Sequence, residues 1–311
     1  MNLNTHTKHI PCLITIFGAT GDLSHRKLFP SLFHLYQQDN LDDHIAIIGV
    51  GRRDYTNDFF REQVKQSIQT HVKDTDRLDE FIEHVFYFKN DVNEEESYHE
   101  LLTFSNELDD TFKLEGNRLF YLAMAPQFFG PISDYLKASG LTETKGFKRL
   151  VIEKPFGSDF KSAEKLNNQL RQSFKEEEIY RIDHYLGKDM VQNIEVLRFA
   201  NAMFEPLWNN KYISNIQITS SEILGVEDRG GYYESSGALK DMVQNHMLQM
   251  VALLAMEAPI SLKSEDIRAE KVKVLKSLRQ LKPEEVNQNF VRGQYGCLLY
   301  TSDAADEGLG V

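Results

Sequence analysis

The sequence predicts an α/β protein in which a doubly wound parallel sheet is followed by an incomplete α+β domain. Two patterns indicate this fold class. Five compact apolar runs of strand length alternate with helical or mixed segments over about residues 1–180. Farther along the chain, the pattern changes to helical segments and one alternating stretch. We therefore expect a first domain over residues 1–185, a partial second domain over 186–296, and a foreign-looking, unstructured tail over 297–311.

The predicted elements follow one another in a regular order. The stretch CLITIFGATGDLSHRKLFPSLFHLYQQDNL reads as strand, glycine turn and helix, with Leu28, Leu32 and Leu35 at helical spacing. The apolar run HIAIIGVGRRD is a second strand, followed by the amphipathic helix FFREQVKQSIQTHV. Three further strands are predicted in HVFYFKND, NRLFYLAMAP and KRLVIEKPFG. In the second domain, VQNIEVLRFANAMF and GALKDMVQNHMLQMVALLAM favour helices, and YISNIQITSSEI alternates like a strand.

Composition excludes several classes of protein. A chain of 311 residues with 41% hydrophobic residues can bury a sizeable core, and its formal net charge of −12 argues against a nucleic-acid partner. Cys12 and Cys297 lie far apart and show no metal-type spacing, so we expect no disulfide framework, no metal and a reducing compartment. No apolar run at the amino terminus is long enough for a secretory signal or a membrane span. The expected location is the cytoplasm, with no membrane partner.

The glycine turn after the first strand is a candidate pyrophosphate site. In GATGDL, Gly18 fits the first position of a dinucleotide fingerprint, whereas Thr20 and Leu23 occupy the second and third glycine positions. Backbone N–H groups and the positive end of the following helix suit a pyrophosphate. This placement favours a Rossmann-type cofactor domain, and a plain tight turn is the alternative.

The end of the second strand indicates which dinucleotide binds. Arg52 and Arg53 stand where an acidic residue would accept from the ribose hydroxyls of NAD, and arginine accommodates the extra 2′-phosphate of NADP. NADP is therefore the expected cofactor. Asp54 keeps NAD open as a minor alternative, and a pair of solvated arginines is the reading without a cofactor.

Several residues farther along are candidates for binding a substrate. Lys154 ends an apolar strand, where ligands gather in open α/β sheets, and the following X-Pro bond is a candidate cis peptide. In YRIDHYLGK, His184, Tyr185 and Lys188 form three donors suited to a phosphate if the segment is helical. A solvated helix face is the alternative for this cluster.

A histidine in an otherwise apolar helix is the candidate base. His246 lies in LKDMVQNHMLQM, where a hydrogen-bonded core histidine is the alternative. An imidazole oriented by a carboxylate suits proton removal from an alcohol near neutral pH. Asp183 is poorly placed to orient the adjacent His184, so we expect it to serve a distant histidine such as His246.

Together, these motifs resemble the glucose-6-phosphate dehydrogenase family. GATGDLSHRKLFPSL resembles its cofactor turn, EKPFG its lysine-proline turn, RIDHYLGK its signature, and RGGYYESSGALKDMVQNHMLQM its base-bearing helix. The resemblance covers about residues 11–296. It implies hydride transfer from C1 of glucose 6-phosphate to NADP, giving a 6-phosphogluconolactone and NADPH.

The resemblance also implies a role for each candidate residue. His246 is the base and Asp183 orients it. The 6-phosphate is held by His184, Tyr185 and Lys188. The sugar hydroxyls are contacted, or the sugar and nicotinamide are aligned, by Lys154, Glu222 and Asp241. The dinucleotide is held by Gly18, Thr20, Gly21, Lys27 and Arg52, with Lys154 beside it.

The carboxyl-terminal end departs from the family. After VRGQYG the family continues through a large antiparallel sheet with substrate lysines and a subunit interface, through which its members form dimers or tetramers. This chain instead runs into CLLYTSDAADEGLGV. Two alternatives therefore stay open: a dehydrogenase of a related sugar phosphate, and an NADP-binding fragment that does not turn over.

Overall fold

The computed structural model describes residues 10–41, 43–221, 225–226 and 230–293. The chain divides into two compact units, Met1–Ile182 and Asp183–Val311. The sequence predicts the first boundary at residue 185, within a few residues of this division.

The first unit is built on a six-stranded parallel sheet in the order β3-β2-β1-β4-β5-β6. Its strands are β1 (Cys12–Phe17), β2 (Ile45–Gly51), β3 (Val85–Lys89), β4 (Arg118–Leu122), β5 (Lys148–Ile152) and β6 (Ile179–Arg181). The strand order reverses between β1 and β4, which are neighbours in the sheet. This is the doubly wound arrangement, in which ligands bind outside the carboxyl ends of the strands at the reversal.

The helices of the first unit connect successive strands. They are α1 (Phe29–Gln37), α2 (Asn57–His71), α3 (Leu78–Glu83), α4 (Glu95–Phe112), α5 (Phe129–Ala138) and α6 (Phe160–Leu170). The Thr56 side chain caps α2 by accepting from the Phe59 N–H, and Asp159 caps α6 by accepting from the Ser162 N–H. Such caps satisfy N–H groups that have no partner within the helix.

Apolar side chains on the two faces of the sheet form two separate cores. One contains Leu13 and Phe120, packed with side chains of α4 and α5. The other contains Ile47, packed with α1 and α2. All seven residues of β2 are buried, as expected for a strand covered by helices on both sides.

The structure confirms the five predicted strands and adds a sixth. Strand β6 has three residues, of which only Ile179 is buried, so its sequence lacks a strand-length apolar run. The first helix also differs from expectation. A π-helical turn at Ser24–Leu28 precedes α1, and Phe29, Phe33 and Tyr36 face the core, whereas Leu35 is exposed.

The second unit is helical in its described part. Its helices are α7 (Asp189–Phe199), α8 (Gly230–Ala238), α9 (Leu248–Ala255), α10 (Ser264–Ser277) and α11 (Pro283–Asn289), with a π-helical segment at Leu239–Met247 that leads into α9. The predicted helices are present. The strand predicted in YISNIQITSSEI, residues 212–223, is not formed over 212–221, and its last two residues lie outside the described ranges. A strand needs a neighbour for its backbone groups, and the residues described in this unit supply none.

A buried arginine joins two of these helices. Arg198, on α7, donates to the carbonyl oxygens of Leu253 and Met256 at the end of α9, the second at 2.6 Å. Trp208 donates its indole N–H to the Leu254 carbonyl at 2.8 Å. These donors satisfy carbonyl groups that the end of a helix leaves without partners. Within the described ranges, no helix is long and apolar enough to cross a membrane.

Candidate functional site

The glycine turn after β1 requires glycine at its first position. Gly18 has a φ of +83°, and a Cβ there would lie 2.5 Å from the Ala123 carbonyl oxygen. The Gly21 N–H donates to the Gly18 carbonyl oxygen at 3.0 Å, and the Ser24 hydroxyl donates to the same oxygen at 3.1 Å. The turn therefore brings bare backbone to the carboxyl edge of the sheet, which fits the close approach of a pyrophosphate. Thr20 lies in this turn, and Lys27 lies exposed in the following helical turn.

The end of β2 presents cationic groups beside that turn. Arg52 is exposed and directly follows Gly51, the last residue of β2. Asp54, the residue on which the NAD alternative depends, accepts from the Lys89 ammonium at 3.0 Å. The donor set at this edge is cationic, which suits a phosphate better than a bare ribose.

Lys154 lies just beyond the carboxyl end of β5, as the sequence predicts. Ile152 is the last residue of the strand, and the Lys154–Pro155 peptide is cis. The preceding residue, Glu153, accepts a hydrogen bond from the Tyr121 hydroxyl at 2.5 Å. The carboxyl end of β5 therefore carries a carboxylate and an ammonium in successive positions, and Tyr121 of β4 donates to the carboxylate.

In the second unit, Asp183 and His246 are in direct contact. Although 63 positions separate them, the Asp183 carboxylate accepts from Nδ1 of His246. The imidazole is fully buried, and the carboxylate side chain is 13% exposed. An ionised carboxylate can only accept, so Nδ1 carries the proton and Nε2 is the basic nitrogen.

A short 3₁₀ turn holds Asp183 in place. The same carboxylate oxygen accepts from the Tyr185 N–H at 3.1 Å and so caps the turn at His184–Gly187. This capping bond holds the Asp183 carboxylate in the orientation in which it contacts the imidazole of His246. The sequence predicts the Asp183–His246 pair but not this turn, because the shared face of the phosphate donors was considered only for a helical segment.

Aromatic rings enclose the imidazole of His246. The Tyr185 ring stacks on it at 4.2 Å between centroids, and the His184 ring meets it edge-on at 4.6 Å. The Lys188 ammonium lies 3.7 Å from the centroid of the Tyr185 ring. The Tyr185 hydroxyl lies 3.1 Å from the Ser220 hydroxyl. The three predicted phosphate donors therefore lie together beside the candidate base, with His184 and Lys188 exposed and Tyr185 buried.

The π-helical segment explains how two predicted residues come to share one side of a helix. Asp241 and His246 are five positions apart within Leu239–Met247, and both are buried. In a π-helix the N–H of each residue bonds five positions back, so such residues lie on nearly the same face. In an α-helix they would diverge. The remaining predicted residue, Glu222, lies outside the described residues.

One lysine near Asp183 was not predicted from the sequence. Lys271, on α10, donates to the Gln249 side chain at 3.3 Å and, with Glu195, lines a cavity of about 450 Å³. Burial lowers the pKa of Lys271, and Glu195 and Asp183 oppose this effect. The available signal was a lysine among apolar residues of an amphipathic helix, which is common on surface helices.

Comparison with known proteins identifies both halves of the chain. The family model described as "Glucose-6-phosphate dehydrogenase, NAD binding domain" matches residues 15–193. The model described as "Glucose-6-phosphate dehydrogenase, C-terminal domain" matches residues 195–306. The second match extends past residue 296 into the predicted tail at 297–311, which lies wholly outside the described residues.

Named relatives agree with the family models. The chain is 59% identical to "Glucose-6-phosphate 1-dehydrogenase" of Bacillus subtilis (strain 168) over 283 residues, covering 91% of this chain and 58% of the relative. It is 52% identical to the protein of the same name from Streptococcus pneumoniae, covering 91% and 57%. The chain thus spans a little under three-fifths of the length of these relatives.

Solved structures show the same fold. A structure described as "Glucose-6-phosphate dehydrogenase in complex with its substrate glucose-6-phosphate" aligns with a TM-score of 0.80 at 42% identity, covering 86% of this chain and 56% of that one. Glucose-6-phosphate 1-dehydrogenase from Mycobacterium avium aligns with a TM-score of 0.78 at 37% identity, covering 88% and 59%. Fold, family models and relatives agree, and the chain belongs to the glucose-6-phosphate dehydrogenase family.

Proposed function

We propose that this chain oxidises D-glucose 6-phosphate at C1 with NADP⁺, giving 6-phospho-D-glucono-1,5-lactone and NADPH, the first step of the pentose phosphate pathway. The observation that supports this most strongly is the contact between Asp183 and His246. It pairs a carboxylate with a buried imidazole, the combination that a base acting on an alcohol needs. Membership of the family supports the choice of substrate.

In the proposed reaction His246 removes the proton of the C1 hydroxyl. The carboxylate of Asp183 holds the proton on Nδ1, so Nε2 receives the substrate proton. The imidazolium that forms is stabilised by the adjacent negative charge of Asp183. Stacking against Tyr185 fixes the plane of the imidazole, which keeps the basic nitrogen in one direction.

The substrate phosphate is assigned to the cluster beside the base. His184 and Lys188 are exposed next to Tyr185, so a phosphate can reach their donor groups. Charge-assisted hydrogen bonds to phosphate are about twice as strong as neutral ones. Lys154, Glu222 and Asp241 remain proposed contacts for the sugar or for its alignment with the nicotinamide.

The cofactor assigned to the first unit is NADP. When bound, it accepts the hydride released from C1. Arg52 is proposed for the 2′-phosphate, and the turn of Gly18, Thr20 and Gly21 for the pyrophosphate, with Lys27 nearby. Arg52 directly follows the last residue of β2, where the 2′-phosphate of NADP needs a cation, and this supports NADP over NAD. The cytoplasm is the proposed location, as expected from the cysteine usage.

Substrate discrimination tests this proposal. NADPH absorbance is followed after the purified chain is mixed with NADP and either glucose 6-phosphate or glucose. We expect NADPH from glucose 6-phosphate, with the specificity constant for glucose about 10- to 100-fold lower, because glucose leaves the cationic cluster without a phosphate. Equal rates with both sugars, or no NADPH from either, would contradict the assigned reaction.

Cofactor binding without turnover is the second candidate. The observation that favours it is apolar surface in the described part of the second unit, where Ile260 is 92% exposed and Leu262 is 77% exposed. Under this alternative, NADP raises the thermal unfolding temperature of the chain, as any ligand of the native state does. Yet no NADPH forms at saturating glucose 6-phosphate.

A further inference from the structure

A tyrosine on β4 holds the carboxylate that precedes Lys154. The Tyr121 hydroxyl donates to Oε1 of Glu153 at 2.5 Å, and both side chains are partly buried. Such a distance is at the short end for a hydroxyl donating to a carboxylate, where hydrogen bonds are strongest. Lys154 was predicted from the sequence, whereas neither Tyr121 nor Glu153 was.

The sheet register explains why these two side chains meet. Tyr121 is level with Val151, and Leu122 is level with Ile152. Glu153 therefore lies two positions beyond the partner of Tyr121, on the same side of the sheet. Diagonal neighbours of this kind are within reach of an aromatic side chain.

The Tyr121 phenol is the donor of this bond. Burial, followed by the hydrogen bond and the charge of Glu153, raises the pKa of Tyr121 above its ordinary value. The phenol consequently stays protonated and donates. A carboxylate has about four acceptor sites, so the bond from Tyr121 orients Glu153 and leaves it capacity for a ligand.

The position of the pair in the sheet indicates which part of a dinucleotide it would serve. The strand order reverses between β1 and β4, and a dinucleotide crosses such a sheet at the reversal. The glycine turn follows β1 and Arg52 follows β2, which assigns the adenosine half to that side. Tyr121 and Glu153 lie at the ends of β4 and β5, on the other side.

We propose that Tyr121 is a positioning residue for the nicotinamide half of NADP, acting through the carboxylate of Glu153. An oriented carboxylate accepts hydrogen bonds and attracts positive charge. The oxidised nicotinamide offers both an amide donor and a cationic ring. The inference rests on the NADP binding proposed above and adds two residues to it.

The adenosine side offers a matched tyrosine. The Tyr87 side chain, on β3, is buried, and its hydroxyl donates to the Arg53 carbonyl oxygen at 2.7 Å. Tyr121→Phe and Tyr87→Phe each remove one hydroxyl, one in each half of the same sheet. A general loss of structure would affect both halves of the ligand alike, whereas a local role would not.

The test compares two ligands by titration calorimetry on the full chain. NADP contains both halves, and adenosine 2′,5′-bisphosphate contains only the adenosine half. We expect Tyr121→Phe to raise the dissociation constant of NADP about 3- to 10-fold. The dissociation constant of adenosine 2′,5′-bisphosphate should stay within about 2-fold of the wild-type value. Tyr87→Phe is expected to weaken both ligands by a similar factor.

Two results would overturn the inference: an unchanged NADP affinity in Tyr121→Phe, or equal weakening of both ligands. If Tyr121→Phe does not fold, Glu153→Gln decides in its place, because the amide oxygen still accepts from Tyr121 while the charge is lost. Glu153→Gln should weaken the binding of NADP but not of adenosine 2′,5′-bisphosphate. Equal weakening of both ligands, or an unchanged affinity for NADP, would again contradict the role. A wild-type chain that binds neither ligand would refute both this inference and the proposed cofactor. Wild-type binding without discrimination by the variants would refute the inference alone.

Discussion

The two units of the chain differ in how much of their apolar surface they bury. The first has a core on each face of its sheet, with side chains such as Leu150 and Phe33 fully buried. In the described part of the second, the buried cluster consists of Val191, Leu253 and Met256 with partly buried neighbours. Both units are rich in apolar residues. The comparison shows that apolar content gives a core only where a second layer covers it.

The units also differ in their proposed tasks. The candidate cofactor groups Gly18 and Arg52 belong to the first, and the candidate base belongs to the second. Chemistry and stability can thus be perturbed separately in each unit.

The largest effect is expected from Asp183→Asn. Asparagine keeps an oxygen that can accept from the Tyr185 N–H and from Nδ1 of His246, but it lacks the negative charge that stabilises the imidazolium formed when His246 takes the substrate proton. We expect turnover of glucose 6-phosphate to fall about 10²- to 10⁴-fold, measured as NADPH formation. Calorimetry should show unchanged NADP binding, since the cofactor is assigned to the other unit. Weaker NADP binding would mean that the two tasks are not divided in this way.

A pair of leucine truncations tests the difference in packing. Leu150 is fully buried in β5, whereas Leu262 is 77% exposed. Leu150→Ala should lower the free energy of unfolding by about 2–5 kcal/mol, and Leu262→Ala should change it by less than about 0.5 kcal/mol.

Two optical signals separate the units in a urea titration of these variants. Trp208 is the only tryptophan of the chain and lies in the second unit, so its fluorescence reports there. Circular dichroism reports on the helices of both units. In the wild type we expect the fluorescence transition at lower urea than the later part of the circular dichroism transition. Coincident transitions would show that the smaller core is no weaker.

Lys188→Ala should raise the KM for glucose 6-phosphate about 10- to 100-fold, because it removes a charged donor to the phosphate. The KM for unphosphorylated glucose should stay unchanged. Lys211→Ala, an exposed lysine of the same unit, serves as the control for general loss of positive charge. Equal effects of Lys188→Ala on both sugars would contradict its role.

The smallest effect concerns pH and the first unit. Burial lowers the pKa of His25 below its ordinary 6.5, Arg53 lowers it further, and Asp22 opposes. The unfolded chain therefore binds a proton more readily, so this contribution to stability is complete above pH 6.5 and is lost as the pH falls toward the folded-state pKa. His25→Gln should flatten the acid side of the stability profile seen by circular dichroism. His99→Gln, at an exposed histidine of α4, is the control, and an identical profile in both variants would contradict the assignment.

Much of the first unit follows from its sequence, because strand-length apolar runs and helical spacing are local properties. Strand β6 escaped detection because it has one buried residue, Ile179, and depends on β5 for its hydrogen bonds. The first helix was predicted from the helical spacing of Leu28, Leu32 and Leu35. The structure turns Phe33 and Tyr36 inward instead, after a π-helical turn that no periodicity rule anticipates.

The sequence indicated which residues form the candidate site better than how they are arranged. The need for an oriented imidazole pointed to Asp183 and His246, and the structure brings them together. The stacking of Tyr185 on His246 was not predicted, because it depends on a 3₁₀ turn and on a π-helical segment from distant parts of the chain. The pair of Tyr121 and Glu153 depends on strand register, which the sequence alone did not give.

Replacement of the candidate base tests the central claim most directly. NADPH formation from glucose 6-phosphate is measured for the wild type, for His246→Asn and for the His99→Asn control, with NADP binding determined on the same samples. We predict turnover in the wild type and the control, and loss of about 10²- to 10⁴-fold in His246→Asn, with NADP binding intact in all three. Turnover by His246→Asn at the wild-type rate would contradict the assignment of His246 as the base.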